Sequence, residues 1–259
     1  MSLPKIVIVI PCFNGWSYTR NCINSILKSS YSNYEILIVN DGSTDNTSIS
    51  LAEEFPEIFV YNGDGNLWWS ESMNIGMEVA FNRNANFVLV LNNDVEISPN
   101  TIDVLVETAS ENKNAIIGSL IMDIRNTNIL WSTGGTMIWP CLGEVQMNDM
   151  SGFDNNLKVV DWNPGMGTLI SFNIFKKLKG FDSKNFPQYM GDTDFCLRAK
   201  KIGIKTIITS RSIIYNNIDN TGGVNQLKKQ FTIKDLIDVF QSYRSPDFLK
   251  ARLKFIYRH

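Results

Sequence analysis

Carboxylates and amides, rather than histidines, are the groups available for chemistry in this sequence. The sole histidine is His259, the last residue. That removes Ser-His-Asp and Cys-His systems and His-rich zinc sites. Acid–base or metal chemistry must then rest on Asp, Glu, Asn and water. Polar clusters follow each of four apolar runs: Pro11-Cys12-Phe13-Asn14, Asn40-Asp41-Gly42-Ser43-Thr44-Asp45, Asn62-Gly63-Asp64-Gly65-Asn66 and Asn92-Asn93-Asp94. Each alone reads equally well as a turn or a helix cap. Together they predict a polar rim along one sheet edge. No G-x-G-x-x-G follows the first run, and G-x-x-x-x-G-K-[ST] is absent. A phosphate-rich ligand would therefore need a metal bridge, and Asp94 is a suitable oxygen ligand for a hard cation. Asp192 opens a helical pattern in which Phe195, Ala199 and Ile202 share a face. It reads either as a helix cap or as a general base. A helix N-terminus lowers a carboxylate pKa, so Asp192 is expected to be ionised at neutral pH.

The elements that must hold these groups are an alternation of strands and helices. Lys5–Ile10, Glu35–Val39, Ile58–Tyr61 and Phe87–Leu91 are near-continuous apolar runs, as in a parallel sheet covered on both faces. Ile23, Ile26 and Leu27, and later Met73, Met77, Ala80 and Phe81, recur at helical spacing. The class is α/β with right-handed crossovers. Ala115–Met122, Gly167–Phe172 and Lys205–Ile208 read as further strands, and Thr193–Ile202 as a helix. Residues 123–163 show no clear period. Two helices are expected at 229–243 and 246–257. The domain reading is a catalytic unit over 1–227, with a first half to about 115 and a second over about 116–227, and a helical tail over 228–259.

The net charge of -2 gives no reason to expect nucleic acid as a partner. No apolar run reaches membrane-spanning length. The N-terminus runs straight into a strand, which reads as no secretory leader. Cys12, Cys22, Cys141 and Cys196 form no C-x-x-C pair and read as reduced thiols of a cytoplasmic protein. Trp68, Trp69, Trp131, Trp139 and Trp162 offer stacking faces or core bulk. Trp162-Asn163-Pro164-Gly165, with a glycine that allows close approach, is the better acceptor-site candidate. The tail is basic and amphipathic, so it reads either as helices packed on the domain or as a segment lying on an anionic membrane at its inner face.

Taken in order, these segments resemble the family 2 glycosyltransferases. The first resembles the family's opening strand and nucleotide-contacting turn, with Pro11, Phe13 and Asn14. Val39–Asp45 is similar to the D-G-S-x-D segment, in which the matching Asp41 holds the nucleobase. Asn66–Gly76 resembles the sugar-nucleotide helix, adding Asp64, Asn66 and Asn74. Leu91-Asn92-Asn93-Asp94 resembles the D-x-D-type motif, with Asp94 as metal ligand and Asn93 near the donor; its style leans toward rhamnosyltransferase-like members. Gly191–Arg198 resembles E-D-x-D-x-x-x-R, whose second residue, here Asp192, is the catalytic base.

The resemblance implies a GT-A fold with a mixed, mostly parallel central sheet flanked by helices. It implies an inverting transfer of a sugar from a UDP- or dTDP-sugar to a hydroxyl of a saccharide or lipid-linked saccharide, assisted by Mg2+ or Mn2+, in bacterial surface polysaccharide synthesis. Trp162, Gly165 and Asp194 are the expected acceptor contacts. Two departures stand out. Gly191 replaces the family's Glu, and Asn216 stands where many members carry a metal-binding His. They leave a nucleotide-sugar-binding module of weak or no activity as the alternative.

Overall fold

The computed structural model describes residues 3–138, 143–217, 242, 245 and 248–259. The first half runs β1 (Ile6–Cys12), α1 (Trp16–Ile26), β2 (Tyr34–Asn40), α2 (Thr47–Glu54), β3 (Phe59–Asn62), α3 (Trp68–Asn82), β4 (Phe87–Val90), β5 (Val95–Ile97) and α4 (Thr101–Glu111). The second runs β6 (Ala115–Asp123), β7 (Leu130–Ser132), β8 (Gly135–Ile138), β9 (Gly143–Gln146), β10 (Leu157–Val160), β11 (Thr168–Ser171), α5 (Phe172–Leu178), α6 (Gly191–Lys201), β12 (Lys205–Asn216) and α7 (Leu249–Arg258).

One sheet takes strands from both halves, in the order β10-β12-β6-β11-β4-β1-β2-β3, with β5 added to β12 and β7 to β6. Strands β4, β1, β2 and β3 are mutually parallel. Their carboxyl ends therefore lie on one edge, level enough that Cys12 faces Asn40 and Asn40 faces Asn62. Strand β11 runs antiparallel between β4 and β6, which makes the sheet mixed.

Alternation along each strand splits the core into two layers. Val7, Val9, Leu37 and Val39 pack with α3, α5, α6 and α7 on one face. Ile6, Ile8, Ile10, Ile36 and Ile38 pack with α1, α2 and α4 on the other. Each such side chain contributes about 1.5–3 kcal/mol by leaving water.

The expected helix at 246–257 appears as α7; the one at 229–243 lies outside the described residues. Three readings are corrected. Residues 123–163 hold four short strands. The strand expected at Gly167–Phe172 stops at Ser171, whose side chain accepts from the Ile174 N–H and starts α5. Strand β12 continues to Asn216 through a register shift between Thr209 and Ile213. Cys12, Cys22 and Cys196 are free and buried. Burial pushes the Cys12 and Cys196 thiols up to about 12, so neither is a nucleophile at neutral pH.

Candidate active site

The rim is assembled by side chains that lock neighbouring strand ends together. Asn14, at φ 61°, accepts through Oδ1 from the Thr44 N–H (2.8 Å) and the Asp45 N–H (3.2 Å). Asp45 returns the tie, accepting from the Gly15 N–H at 2.8 Å and the Thr47 N–H at 2.9 Å. Burial pulls its pKa upward, but the bonds from Thr47, Gly15 and Trp16 outweigh this and hold it below the usual carboxylate range. Phe13, just beyond β1, is 52% exposed and presents an open aromatic face on the rim. Asp64 and Asn66, after β3, are also exposed, joined by an Asn66 N–H to Asp64 Oδ1 bond of 3.0 Å.

Asp41 is buried, and its carboxylate accepts from the N–H groups of Gly65 (2.8 Å), Leu67 (3.0 Å) and Trp68 (3.1 Å). It fixes the approach to α3, where Trp68 is held at φ 59°, a costly conformation for a bulky residue. Trp69 then bridges two segments. Its Nε1 donates to Asn92 Oδ1 at 2.9 Å, two residues before Asp94. Its ring lies where a Cβ on Gly165 would overlap it. Gly165 in turn donates its N–H to Asp192 Oδ2 at 2.8 Å. A continuous run of contacts thus joins Asp41, the Asn92–Asp94 turn and Asp192.

Asp192 lies in the first turn of α6, with Oδ1 also accepting from the Thr193 N–H at 2.8 Å. The residue keeps partial solvent contact while protein atoms surround its carboxyl. Burial raises its pKa to about 6, against the bonds from Gly165 and Thr193, and the Glu144 charge adds to the rise. The sequence pointed the other way, toward a lowered value from the helix N-terminus; desolvation outweighs that effect. At pH 7 the carboxylate is still mostly ionised, and a value near 6 suits a base better than an ordinary one.

Asn93 donates to Thr19 Oγ1 at 3.0 Å, tying its turn to α1. Burial pushes the Asp94 carboxyl above its ordinary value. Asn216 is buried at the end of β12, opposite Val95 and Asp123. The next residue, Asn217, donates its N–H to the Asp94 carbonyl at 3.4 Å, and its side-chain oxygen is buried without a hydrogen-bond partner. Carboxylate and amide oxygens in this corner fit a hard cation. No group of three His, Cys, Asp or Glu gathers among the described residues. Protein would supply only part of a coordination shell, leaving positions for water and phosphate oxygens.

A model of glycosyl transferase family 2 matches residues 7–179, more than half of the chain. The chain belongs to that family. Glycosyltransferase GlyG of Streptococcus pneumoniae serotype 4 is 26% identical over 180 residues, covering 66% of this chain and 56% of GlyG. The crystal structure of GalNAc-T7 with UDP, GalNAc and Mn2+ has a TM-score of 0.71 at 17% identity, covering 93% of this chain and 49% of that one. The mannosyltransferase PcManGT of Pyrobaculum calidifontis, in complex with GDP-Man and Mn2+, has a TM-score of 0.63 at 13% identity, covering 85% and 58%. The fold is thus GT-A. This chain spans about half the length of GlyG and GalNAc-T7.

Within this family 2 chain three expected contacts belong elsewhere. Asp194 was the expected acceptor ligand, but its side chain is fully enclosed. Arg198 (2.7 Å), Arg258 (2.8 Å) and His259 (3.0 Å) occupy its oxygens. Trp162 is a core residue, pressed on Gly135, with Nε1 buried and unpartnered; it offers no stacking face. Asn74 engages its amide with Phe181, accepting from the N–H at 2.8 Å and donating to the carbonyl at 2.9 Å, and so docks α3 on the loop after α5.

Gly191 also has a structural reason. A Cβ there would overlap Ser70 Oγ, which donates to the Phe186 carbonyl at 2.5 Å. A side chain there requires the Ser70 hydroxyl to turn away and the Phe186 carbonyl, 3.2 Å from the added Cβ, to give slightly.

Two residues of this neighbourhood were missed. Trp69 was noted only as a stacking surface. Glu144 lies on β9, in the stretch with no period, and nothing in the sequence singled it out. Gly165→Ala tests the Trp69–Gly165–Asp192 contact. The methyl group must displace the indole or the Asp192 bond. Activity is expected to fall about 100-fold, as for a misplacement of about 1 Å. Thermal melting and kcat measured together check this; full activity at unchanged Tm would show that the contact does not position Asp192.

Proposed function

We propose that this chain is an inverting glycosyltransferase that moves a hexose from a UDP- or dTDP-sugar to an acceptor hydroxyl. The observation that carries the reading is the contact chain from Asp41 through Trp69 to Asn92 and to Gly165–Asp192. It links a carboxylate of raised pKa to the turn that carries Asp94, which supports this reading.

Phe13, Asp64 and Asn66 supply the open side of the nucleotide pocket, and Asp41, Asn14 and Asn93 hold its walls in place. Asp192 accepts the proton of the acceptor hydroxyl as that oxygen bonds to the anomeric carbon. The bond from that carbon to the diphosphate oxygen breaks with its electron pair on the diphosphate, and the anomeric configuration inverts. A divalent cation, held through Asp94 with Asn216 or Asn217, would neutralise the departing diphosphate. GalNAc-T7 and PcManGT, crystallised with Mn2+, support that requirement. The biological role that fits is assembly of a bacterial surface polysaccharide on a saccharide or lipid-linked saccharide.

Thermal shift against a panel of nucleotide sugars, with Mn2+ or with EDTA, tests the donor site. A ligand at about 100 times its Kd adds about 2.7 kcal/mol. At about 2–4 °C per kcal/mol for a chain of this size, Tm rises by about 5–10 °C. The rise is expected with a UDP- or dTDP-sugar and Mn2+, and is expected to vanish with EDTA or in Asp94→Ala. No nucleotide sugar shifting Tm under any condition would sink the proposal. A shift without release of nucleoside diphosphate in the presence of acceptors would leave a nucleotide-sugar-binding module.

A further inference from the structure

We propose that the outer face of α7 is a docking surface for an anionic membrane. The helix has two faces of opposite character. The inner one is anchored to the domain. Ala251 and Phe255 are buried, and Phe255 lies 6.0 Å from the Phe186 ring, edge to face. Arg258 pairs with Asp182 and Asp194, and Arg252 with Glu144 at 3.3 Å. The helix therefore sits firmly in a fixed orientation.

The outer face carries Leu249 (50% exposed), Leu253 (58%), Ile256 (54%) and Tyr257 (88%). The spacing i, i+4, i+7, i+8 makes one apolar stripe. A scattered surface leucine needs no explanation, but four large apolar groups on one short helix, rimmed by polar residues, mark an interaction site. The flanks name the partner. Beside the stripe runs a groove of about 380 Å³ lined by Lys184, Phe248, Lys250, Leu253, Lys254 and Tyr257, with no carboxylate among the described residues of its walls. The chain as a whole is slightly acidic, at -2, so this is a local concentration of cations. Apolar side chains and a tyrosine between lysines are the composition of an interfacial helix on acidic lipid. No helix among the described residues is long and apolar enough to cross a membrane. The surface would hold the protein to the bilayer from one side.

Placement gives the surface its use. The inner face of the same helix holds Glu144, whose charge reaches Asp192. A bilayer held on the outer face would bring the enzyme to the membrane that carries a lipid-linked acceptor. That use rests on the glycosyltransferase reading; the test below measures no transfer, so either can fail without the other.

The test is cosedimentation of the whole chain with vesicles of phosphatidylcholine alone and of equal parts phosphatidylcholine and phosphatidylglycerol. Binding is expected to the mixed vesicles, weaker by about tenfold or more to phosphatidylcholine alone, and reduced by salt. Two double variants, Leu253→Glu with Ile256→Glu and Lys250→Glu with Lys254→Glu, alter only exposed side chains. Both are expected to lose binding with unchanged circular dichroism. Sedimentation no greater than in the vesicle-free control would overturn the proposal. So would a wild-type dimer in size-exclusion chromatography that Leu253→Glu with Ile256→Glu converts to monomer, because the stripe would then join two copies of the chain.

Discussion

Asp192→Asn is expected to lower turnover by about 10³-fold, within the range for loss of a general base, while donor affinity stays within a few-fold. The proposed donor-side groups are on other elements: Phe13 after β1, Asp64 and Asn66 after β3, Asp94 after β4. The substitution is not silent. Both oxygens of Asp192 accept backbone N–H bonds, from Gly165 and Thr193. An amide can satisfy only one of them and turns its NH2 toward the other. A modest loss of Tm is therefore expected, and donor binding by calorimetry must be measured beside the rate. Near-normal turnover at saturating donor would remove Asp192 from the mechanism.

The pH profile of the wild type carries the same claim. With a folded value of about 6, Asp192 loses its ability to accept a proton below that point, so kcat/KM is expected to fall about tenfold per unit on the acid side. The stability sign is opposite. A carboxyl raised from 3.8 to about 6 by folding favours the protonated native state. Its contribution is full below 3.8 and is lost as pH rises through about 6. The site carries its base at a cost in stability, which is common for a preorganised catalytic group.

The sequence revealed what depends on local pattern. Strands β1, β2 and β4 are buried on both faces, so their residues form unbroken apolar runs. The polar groups after them converge because parallel strands end on the same edge. What it concealed depends on partners distant along the chain. Strands β7 and β10 have three and four residues and exist through pairing with β6 and β12. Helix α5 begins with Phe172, directly after an apolar strand, so the change of period was hidden. The residue types at Asp194, Trp162 and Asn74 looked functional, but their roles were fixed by Arg258, Gly135 and Phe181, none of them a sequence neighbour. Glu144 illustrates the limit: a carboxylate without a motif becomes significant only when folding brings it toward Asp192.

Asp194→Ala is expected to be the most damaging single change to stability among the site residues. Its side chain is fully enclosed and satisfies cations from two elements, Arg198 on α6 and Arg258 on α7, as well as His259. Burial alone would raise its pKa, but the His259 bond and the two guanidiniums reverse this and lower it. Removing one partner of a buried ion pair costs 3–5 kcal/mol because the other charge is left without compensation. The lower end applies here. Arg198 keeps the Leu178 and Gly180 carbonyls, Arg258 keeps Asp182, and both retain some solvent contact. A loss of about 3 kcal/mol corresponds to a Tm decrease of about 6–12 °C. Asp194→Asn, which keeps the shape and part of the bonding, should lose less. The pH dependence separates charge from packing. A lowered carboxyl contributes fully above its unfolded value of about 3.9 and fades as pH falls through the folded one, so only the wild type should lose this increment in acid. Melting followed by circular dichroism from neutral pH to about pH 3 reads both effects. A Tm change of about a degree at neutral pH, well under 1 kcal/mol, would show that the Arg198–Asp194–Arg258 contact does not bind α7 to α6.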